Sequence, residues 1–323
     1  MKLGEIYRPV EKDLKAVSDQ VHLLAEGKRE SFPQLHKMLE YTLVGGKVIR
    51  PALTLLCCHC FNYEQTKALP MATAGELMHI STLIHDDAID KADTRRGRST
   101  VNSLWGTDKA ILLGDYLFAR AGEFAAATED IRVVKLFSRT LQIISSGELN
   151  QAFDAYNYEQ TFEQYKERIA AKTAALIVMT TESGAILGGA TKEQIQMMTD
   201  YGYNLGVAFQ IVDDILDFIG NEKEMGKPVG SDLAQGTLTL PALMLLERQP
   251  YDNPIPKIIA GGDKDNHVKN AVDMIRNSSI IDDSYHIAEE YVDKAYRHLE
   301  SLPDSVYRQS LLDLAVYIIK RQH

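Results

Sequence analysis

The chain has 323 residues, long enough to bury a sizeable core, and its 45% hydrophobic and 25% charged side chains are the balance of an ordinary globular protein. A formal net charge of -10 excludes non-specific nucleic-acid binding, which needs a basic footprint. Any anionic substrate must therefore be met by locally concentrated Lys and Arg.

Met1 to Leu14 lack the apolar core of a signal peptide, and no uninterrupted apolar run approaches the roughly 18 residues of a membrane span. The expected location is the cytoplasm. Leu14, Val17, Val21 and Leu24 step by three and four, as on an amphipathic helix, and Leu35, Met38, Leu39 and Leu43 repeat the pattern after a turn at Ser31-Phe32-Pro33. Apolar-periodic segments follow at 51–61, 67–91, 107–128, 131–153, 162–188, 193–219, 237–248, 266–276, 284–300 and 305–321. Alternating strand-like runs are nearly absent. The expectation is an all-α protein, a single helical domain over 1–323 with helices in layers or a bundle.

Punctuation is sparse. Thr94 to Thr100 reads as a polar, Arg-rich turn, Gly220 to Gly236 as an ordered loop, and Gln249 to Asn266, with three prolines and two glycines, as an exposed loop. Cys57, Cys58 and Cys60 sit beside His59, but structural zinc needs four ligands, usually from separated pairs. Buried, reduced thiols on a helix are expected instead.

Two clusters carry the chemistry. Asp86-Asp87-Ala88-Ile89-Asp90 and Asp213-Asp214-Ile215-Leu216-Asp217 share the form Asp-Asp-x-x-Asp. A four-residue helical step advances about 400°, so the outer Asp of each cluster share a face. Like charges so spaced repel, and a hard divalent ion such as Mg²⁺ would compensate while completing its octahedron with phosphate oxygens. One such cluster alone reads more readily as a solvated acidic face; two of identical spacing, flanked by apolar residues, do not.

Around them lie candidate anion-binding residues. Gly45-Gly46-Lys47-Val48-Ile49-Arg50-Pro51 joins two helical stretches and reads either as a diphosphate cradle at a helix N-terminus or as an ordinary turn with solvated basic residues. His79 shares a helix face with Asp86 and Asp90. Arg95-Arg96 follow the first cluster, as surface charge or as anion clamps. Lys172-Thr173 interrupts a strongly apolar helix, where a Lys must snorkel or pair. Gln210 stands three residues before Asp213, and Lys227 lies in the Gly-rich loop after the second cluster, a possible lid.

Taken together, Gly-Gly-Lys-x-x-Arg-Pro at 45–51, His79, the run 83–90, Asp93-Thr94-Arg95-Arg96-Gly97, Gly114-Asp115-Tyr116-Leu117, Lys172-Thr173, the run 209–217 and Gly226 to Asp232 resemble the trans-type polyprenyl diphosphate synthases, over residues 35 to 321. Within them the chain looks most like the medium-chain catalytic subunit, component II of heptaprenyl diphosphate synthase. Lys91 replaces an acid often found there.

The resemblance implies a helical fold with a central cavity and the two acidic clusters facing each other across its mouth. It implies Mg²⁺ bound by the clusters Asp86, Asp87, Asp90 and Asp213, Asp214, Asp217, with Asp86 and Asp90 the leading ligands and Asp213, with Asp217, opposite them. Arg95, Lys172, Thr173, Gln210 and Lys227 would hold the allylic diphosphate; Gly46, Lys47, Arg50, His79 and Arg96 would hold isopentenyl diphosphate. Asp86, Asp90, Asp213, Lys172 and Lys227 are the residues on which ionisation of the allylic substrate would depend. Chain length would be set at Met78, Ser81 and Thr82 below the first cluster. The small Ser81 and Thr82 imply a product of about six to eight isoprene units, with a prenyl tail for quinones as a common destination. The implied partners are a second copy or a small regulatory subunit. The alternatives are a farnesyl or geranylgeranyl diphosphate synthase, a terpene cyclase (disfavoured by the second Asp-Asp-x-x-Asp), and a non-catalytic regulatory subunit, which would typically lose a cluster.

Overall fold

The computed structural model describes residues 2–95, 97–220, 228–260 and 263–321. Helices account for nearly all the regular structure. They are α1 (Leu3–Tyr7), α2 (Glu11–Glu26), α3 (Pro33–Thr42), α4 (Ile49–His59), α5 (Gln65–Ile89), α6 (Val101–Trp105), α7 (Thr107–Ala126), α8 (Ile131–Asp154), α9 (Phe162–Ile169) and α10 (Ala175–Leu187). After them come α11 (Lys192–Ile219), α12 (Ser231–Ala234), α13 (Leu240–Arg248), α14 (Pro254–Ala260), α15 (Lys264–Arg276), α16 (Ile280–Leu299) and α17 (Val306–Lys320). Among the described residues the only strands are β1 (Thr94–Arg95) and β2 (Arg98–Ser99), a minimal antiparallel ladder pairing Thr94 with Ser99. The expected Arg-rich turn is thus a tiny hairpin. The all-α class is as the sequence predicts.

The chain gathers into two compact units. One comprises residues 1–140, 176–202 and 298–314; the other comprises 141–175, 203–297 and 315–323. The first is organised around α5, which packs mainly on α7 and also against α4 and α2. Every residue from Met71 to Met78 is buried, so this part of α5 is enclosed all round and, apart from Thr73 and Glu76, apolar, as a helix inside a core should be. Small residues let neighbours approach. A Cβ on Gly184 in α10 would meet the Thr54 carbonyl oxygen of α4 at 2.5 Å, so Gly184→Val is expected to lower stability by about 1–3 kcal/mol or more in denaturant unfolding.

The second unit has its own cluster, in which Phe218, Leu233, Leu238, Leu245, Ile255, Ile258 and Ile275 are all buried. Here one expectation fails. Gln249 to Asn266 is not an exposed loop: α14 occupies its centre and buries Ile255 and Ile258. Pro254 is the first residue of that helix, where a missing N–H costs nothing. The Gly220 to Gly236 loop also contains the one-turn helix α12, and Gly230, at φ +72, caps it in the left-handed region.

The continuous helical stretch Phe162–Leu187 is long and apolar enough to cross a membrane, yet 67% of its apolar window is buried in the protein, which marks it as a core helix. Cys57 and Cys58 are buried free thiols on α4, and Cys60 is half-buried at its C-cap. Burial holds the Cys58 and Cys60 thiols protonated, at about 11 and about 12.

Candidate active site

Both acidic clusters lie at the C-terminal ends of long helices. Asp86 and Asp87 fall in the last turn of α5 and Asp90 caps it; Asp213, Asp214 and Asp217 fall in the last two turns of α11. This is the negative pole of a helix, where carboxylates are disfavoured. Repulsion within each cluster adds to that penalty, so each helix end calls for cations.

The six carboxylates are met in different ways. Asp87 is buried and accepts from Arg95 Nε at 2.7 Å. Burial nevertheless lifts its carboxyl above the usual range, against the pull of Arg95. Asp86 is half-buried and Asp90 exposed, on the face shared with His79, itself half-buried. In the second cluster Asp214 is buried and accepts from Tyr165 Oη at 2.7 Å and Gln210 Nε2 at 2.8 Å. Burial pushes its carboxyl up to about 7, more than those two donors lower it. Asp217 is buried and accepts from Ser231 Oγ at 2.9 Å and from the Asp232 N–H at 3.3 Å, tying α11 to the start of α12. Asp213 keeps 54% of its side chain exposed and meets Arg321 Nη2 at 3.2 Å. Asp87, Asp214 and Asp217 are thus buried against the protein's own groups, whereas Asp86, Asp90 and Asp213 are the more accessible. These are hard oxygen donors, and Mg²⁺ fits them.

The Gly-Gly-Lys turn stands in the first unit. Gly45 and Gly46 have φ of +83 and +122, and Val48 follows at +43 as the N-cap of α4. A β-branched residue in the left-handed region is strained, a feature that concentrates at functional sites. Tyr7 Oη donates to the Lys47 carbonyl at 2.9 Å and fixes the turn. Lys47 and Arg50 are half-buried, with Arg50 in the first turn of α4, where backbone N–H groups favour an anion. A Cβ on Gly46 would lie 3.6 Å from Glu76 Oε1 of α5, so this buried acid stands directly against the turn.

In the second unit Lys172 and Thr173 occupy a π-helical turn, Ala170–Ala174, joining α9 to α10. Such turns widen a helix and are frequent at functional sites. Lys172 Nζ pairs with Glu148 Oε1 of α8 at 2.8 Å, one of the two outcomes expected of a Lys in an apolar helix. Thr173 Oγ1 donates to Gln210 Oε1, so a chain of hydrogen bonds runs Thr173, Gln210, Asp214, Tyr165. Close packing holds it: a Cβ on Gly206 in α11 would meet Ala174 Cα at 2.5 Å. Gly206→Ala is expected to cost about 1–3 kcal/mol in urea unfolding, because backbone must move to admit it.

Below the first cluster, Met78 and Ser81 are fully buried and Thr82 is half-buried. Ser81 Oγ donates to the Gly114 carbonyl of α7 at 2.6 Å. Arg96 and Lys227 lie outside the described residues. Sequence reasoning did not single out Glu76, Glu148, Tyr165 or Arg321. A buried Glu inside an apolar helix was the one available signal, and it applied to Glu76 alone.

The polyprenyl synthetase family model matches residues 32–275. The chain belongs to the polyprenyl synthetase family. The heptaprenyl diphosphate synthase component 2 of Geobacillus stearothermophilus is 37% identical over 326 residues, covering 100% of both chains. The crystal structure of heptaprenyl diphosphate synthase from Staphylococcus aureus superposes with a TM-score of 0.89 at 35% identity, covering 97% of this chain and 98% of that one. A polyprenyl synthase from Caulobacter crescentus, complexed with calcium and isoprenyl diphosphate, gives a TM-score of 0.91 at 29% identity, covering 100% and 98%. The family match over residues 32–275 contains every one of the sequence motifs.

Proposed function

We propose that the chain condenses an allylic diphosphate with successive isopentenyl diphosphates to an all-trans polyprenyl diphosphate of about six to eight isoprene units. The observation that carries this reading is the pair of acidic helix ends, each with buried aspartates held by the protein and with more accessible ones beside them. Asp86, Asp90 and Asp213 would hold Mg²⁺ on the allylic diphosphate. Asp87 orients Arg95 toward that group, and Asp214 and Asp217 fix the end of α11. Bound Mg²⁺ supplies Lewis-acid stabilisation of the departing diphosphate.

Lys172, Thr173, Gln210, Arg95 and Lys227 bind the allylic diphosphate and stabilise the charge that builds on its leaving oxygens. Gly46, Lys47, Arg50, His79 and Arg96 orient isopentenyl diphosphate so that its double bond attacks the allylic carbon, and this positioning supplies much of the rate. Apolar helix walls exclude water from the cationic centre. No side chain is an evident base for the final proton; the released pyrophosphate accepts it.

Small side chains at Ser81 and Thr82 support the medium length, as does the resemblance to heptaprenyl synthases. Purified protein incubated with farnesyl diphosphate and labelled isopentenyl diphosphate should yield products of C30 to C40 by reverse-phase chromatography. Ser81→Phe should shorten them, at some cost in stability because Ser81 packs on α7. Wild-type products stopping at C15 or C20 would refute the medium-chain reading. We place the enzyme in the cytoplasm as a dimer, with a second copy or a small regulatory subunit. Exposed Leu104, Ile111 and Leu112 on α6 and α7 offer apolar surface for such a partner. A quinone side chain is the proposed destination of the product.

A further inference from the structure

The join between α2 and α3, apart from every residue assigned above, brings together Glu26, His36 and Glu40. One ligand atom from each lies within 4.8 Å of the other two. His36 is 9% exposed, and its ring orientation is fixed: Nδ1 lies 2.9 Å from the Ala25 carbonyl oxygen, which can only accept. Nδ1 therefore carries the proton, and in the neutral ring Nε2 presents its lone pair to the two carboxylates. A carbonyl behind the imidazole is the usual support of a metal-bound histidine, setting its tautomer and raising its basicity.

The spacing fits a metal site as well as an ion pair, since Arg29 and Glu26 pair at the same 3.3 Å. His36 Nε2 stands 3.3 Å from Glu40 Oε2. A charge-assisted N–H to carboxylate bond is shorter, about 2.7–2.9 Å. Two ligands each about 2.0–2.1 Å from a tetrahedral ion are separated by about 3.3 Å. The two side chains are thus spaced as neighbours on one ion. Glu26 is exposed and pairs with Arg29 at 3.3 Å, a surface contact worth little, so it can swing in as the third ligand. Two carboxylates facing one imidazole also leave net negative charge there. We propose that Glu26, His36 and Glu40 bind a borderline first-row divalent cation, zinc being the best match to one nitrogen and two oxygens, with water in the fourth position. Such an ion would brace the end of α2 to α3 across the residues 27–32 that join them.

The test uses the full chain, stripped with a chelator and kept in excess Mg²⁺ so that the catalytic carboxylates are saturated. Zn²⁺ titration by calorimetry should show one site per chain, and Zn²⁺ should raise the unfolding midpoint by several degrees. Glu40→Gln and Glu26→Gln alter exposed side chains and leave the fold intact; each should weaken Zn²⁺ binding about tenfold or more, and His36→Gln should abolish it. With Co²⁺ in place of Zn²⁺, visible absorption of tetrahedral character should appear in wild type and vanish in His36→Gln. Zn²⁺ affinity unchanged by all three substitutions overturns the proposal, as does no Zn²⁺ binding in excess Mg²⁺. Loss of stability in the variants that is the same with and without Zn²⁺ also overturns it, and identifies an imidazole–carboxylate pair only.

Discussion

Asp86→Asn should lower kcat by about a hundred- to a thousandfold, the order seen when one group that stabilises transition-state charge is removed. Asp87→Asn, at the adjacent position, should stay within about tenfold of wild type in kcat, equivalent to about 1.4 kcal/mol. The contrast follows from their surroundings. Asp87 is buried and already engaged by Arg95 at 2.7 Å, whereas Asp86 lies on the accessible face with Asp90. Losing Asp87 releases Arg95, so its cost should appear as raised KM for the allylic diphosphate and as lower stability. Steady-state kinetics on the two variants read both quantities. Equal losses in kcat would mean that the aspartates of a cluster act as one undivided set.

The second large effect concerns Asp214. Its carboxyl is pushed up to about 7 in the folded protein by burial, from an ordinary value of 3.8. Between those two pH values the native state retains a proton that the unfolded chain has released. The native state then binds more protons, so stability falls as pH rises across that window and levels off above about 7. Asp214→Asn should remove this component of the slope in urea unfolding of the metal-free protein at a series of pH values. Tyr165→Phe removes one of two donors to a buried acid and should cost about 1–3 kcal/mol, with the loss greatest where Asp214 is ionised. A stability profile between pH 4 and 7 that is unchanged in Asp214→Asn would contradict this account of the carboxylate.

Much of this was legible in the sequence, for a definite reason. Helix periodicity is a local property, and α5, predicted over 67–91, forms over Gln65–Ile89; α11, predicted over 193–219, forms over Lys192–Ile219. The failure at 249–266 is equally local. Closely spaced prolines suggest a break, but Pro254 starts α14, and nothing nearby announces that Ile255 and Ile258 will find a core. Spacing exposed the acidic clusters, because i and i+4 share a face whatever the fold. What spacing could not give is which aspartate each cluster spends on its own architecture. Tyr165 reaches Asp214 across 49 positions, and Ser231 reaches Asp217 across 14. The π-turn under Lys172 was also invisible, since it changes hydrogen bonding without changing the apolar pattern. The partner Glu148 was foreseeable only as one of two outcomes: Lys172 had to snorkel or to pair, and the fold pairs it.

Magnesium-dependent capture of the allylic diphosphate is the claim from which the rest follows. It is tested most directly by calorimetric binding of a farnesyl thiolodiphosphate, which cannot ionise readily, to the purified chain with Mg²⁺ and then with a chelator. Saturable binding in Mg²⁺ is predicted, lost on chelation and weakened at least about tenfold in Asp86→Asn and Asp213→Asn. Binding of equal strength without the metal, or untouched by both substitutions, would contradict it.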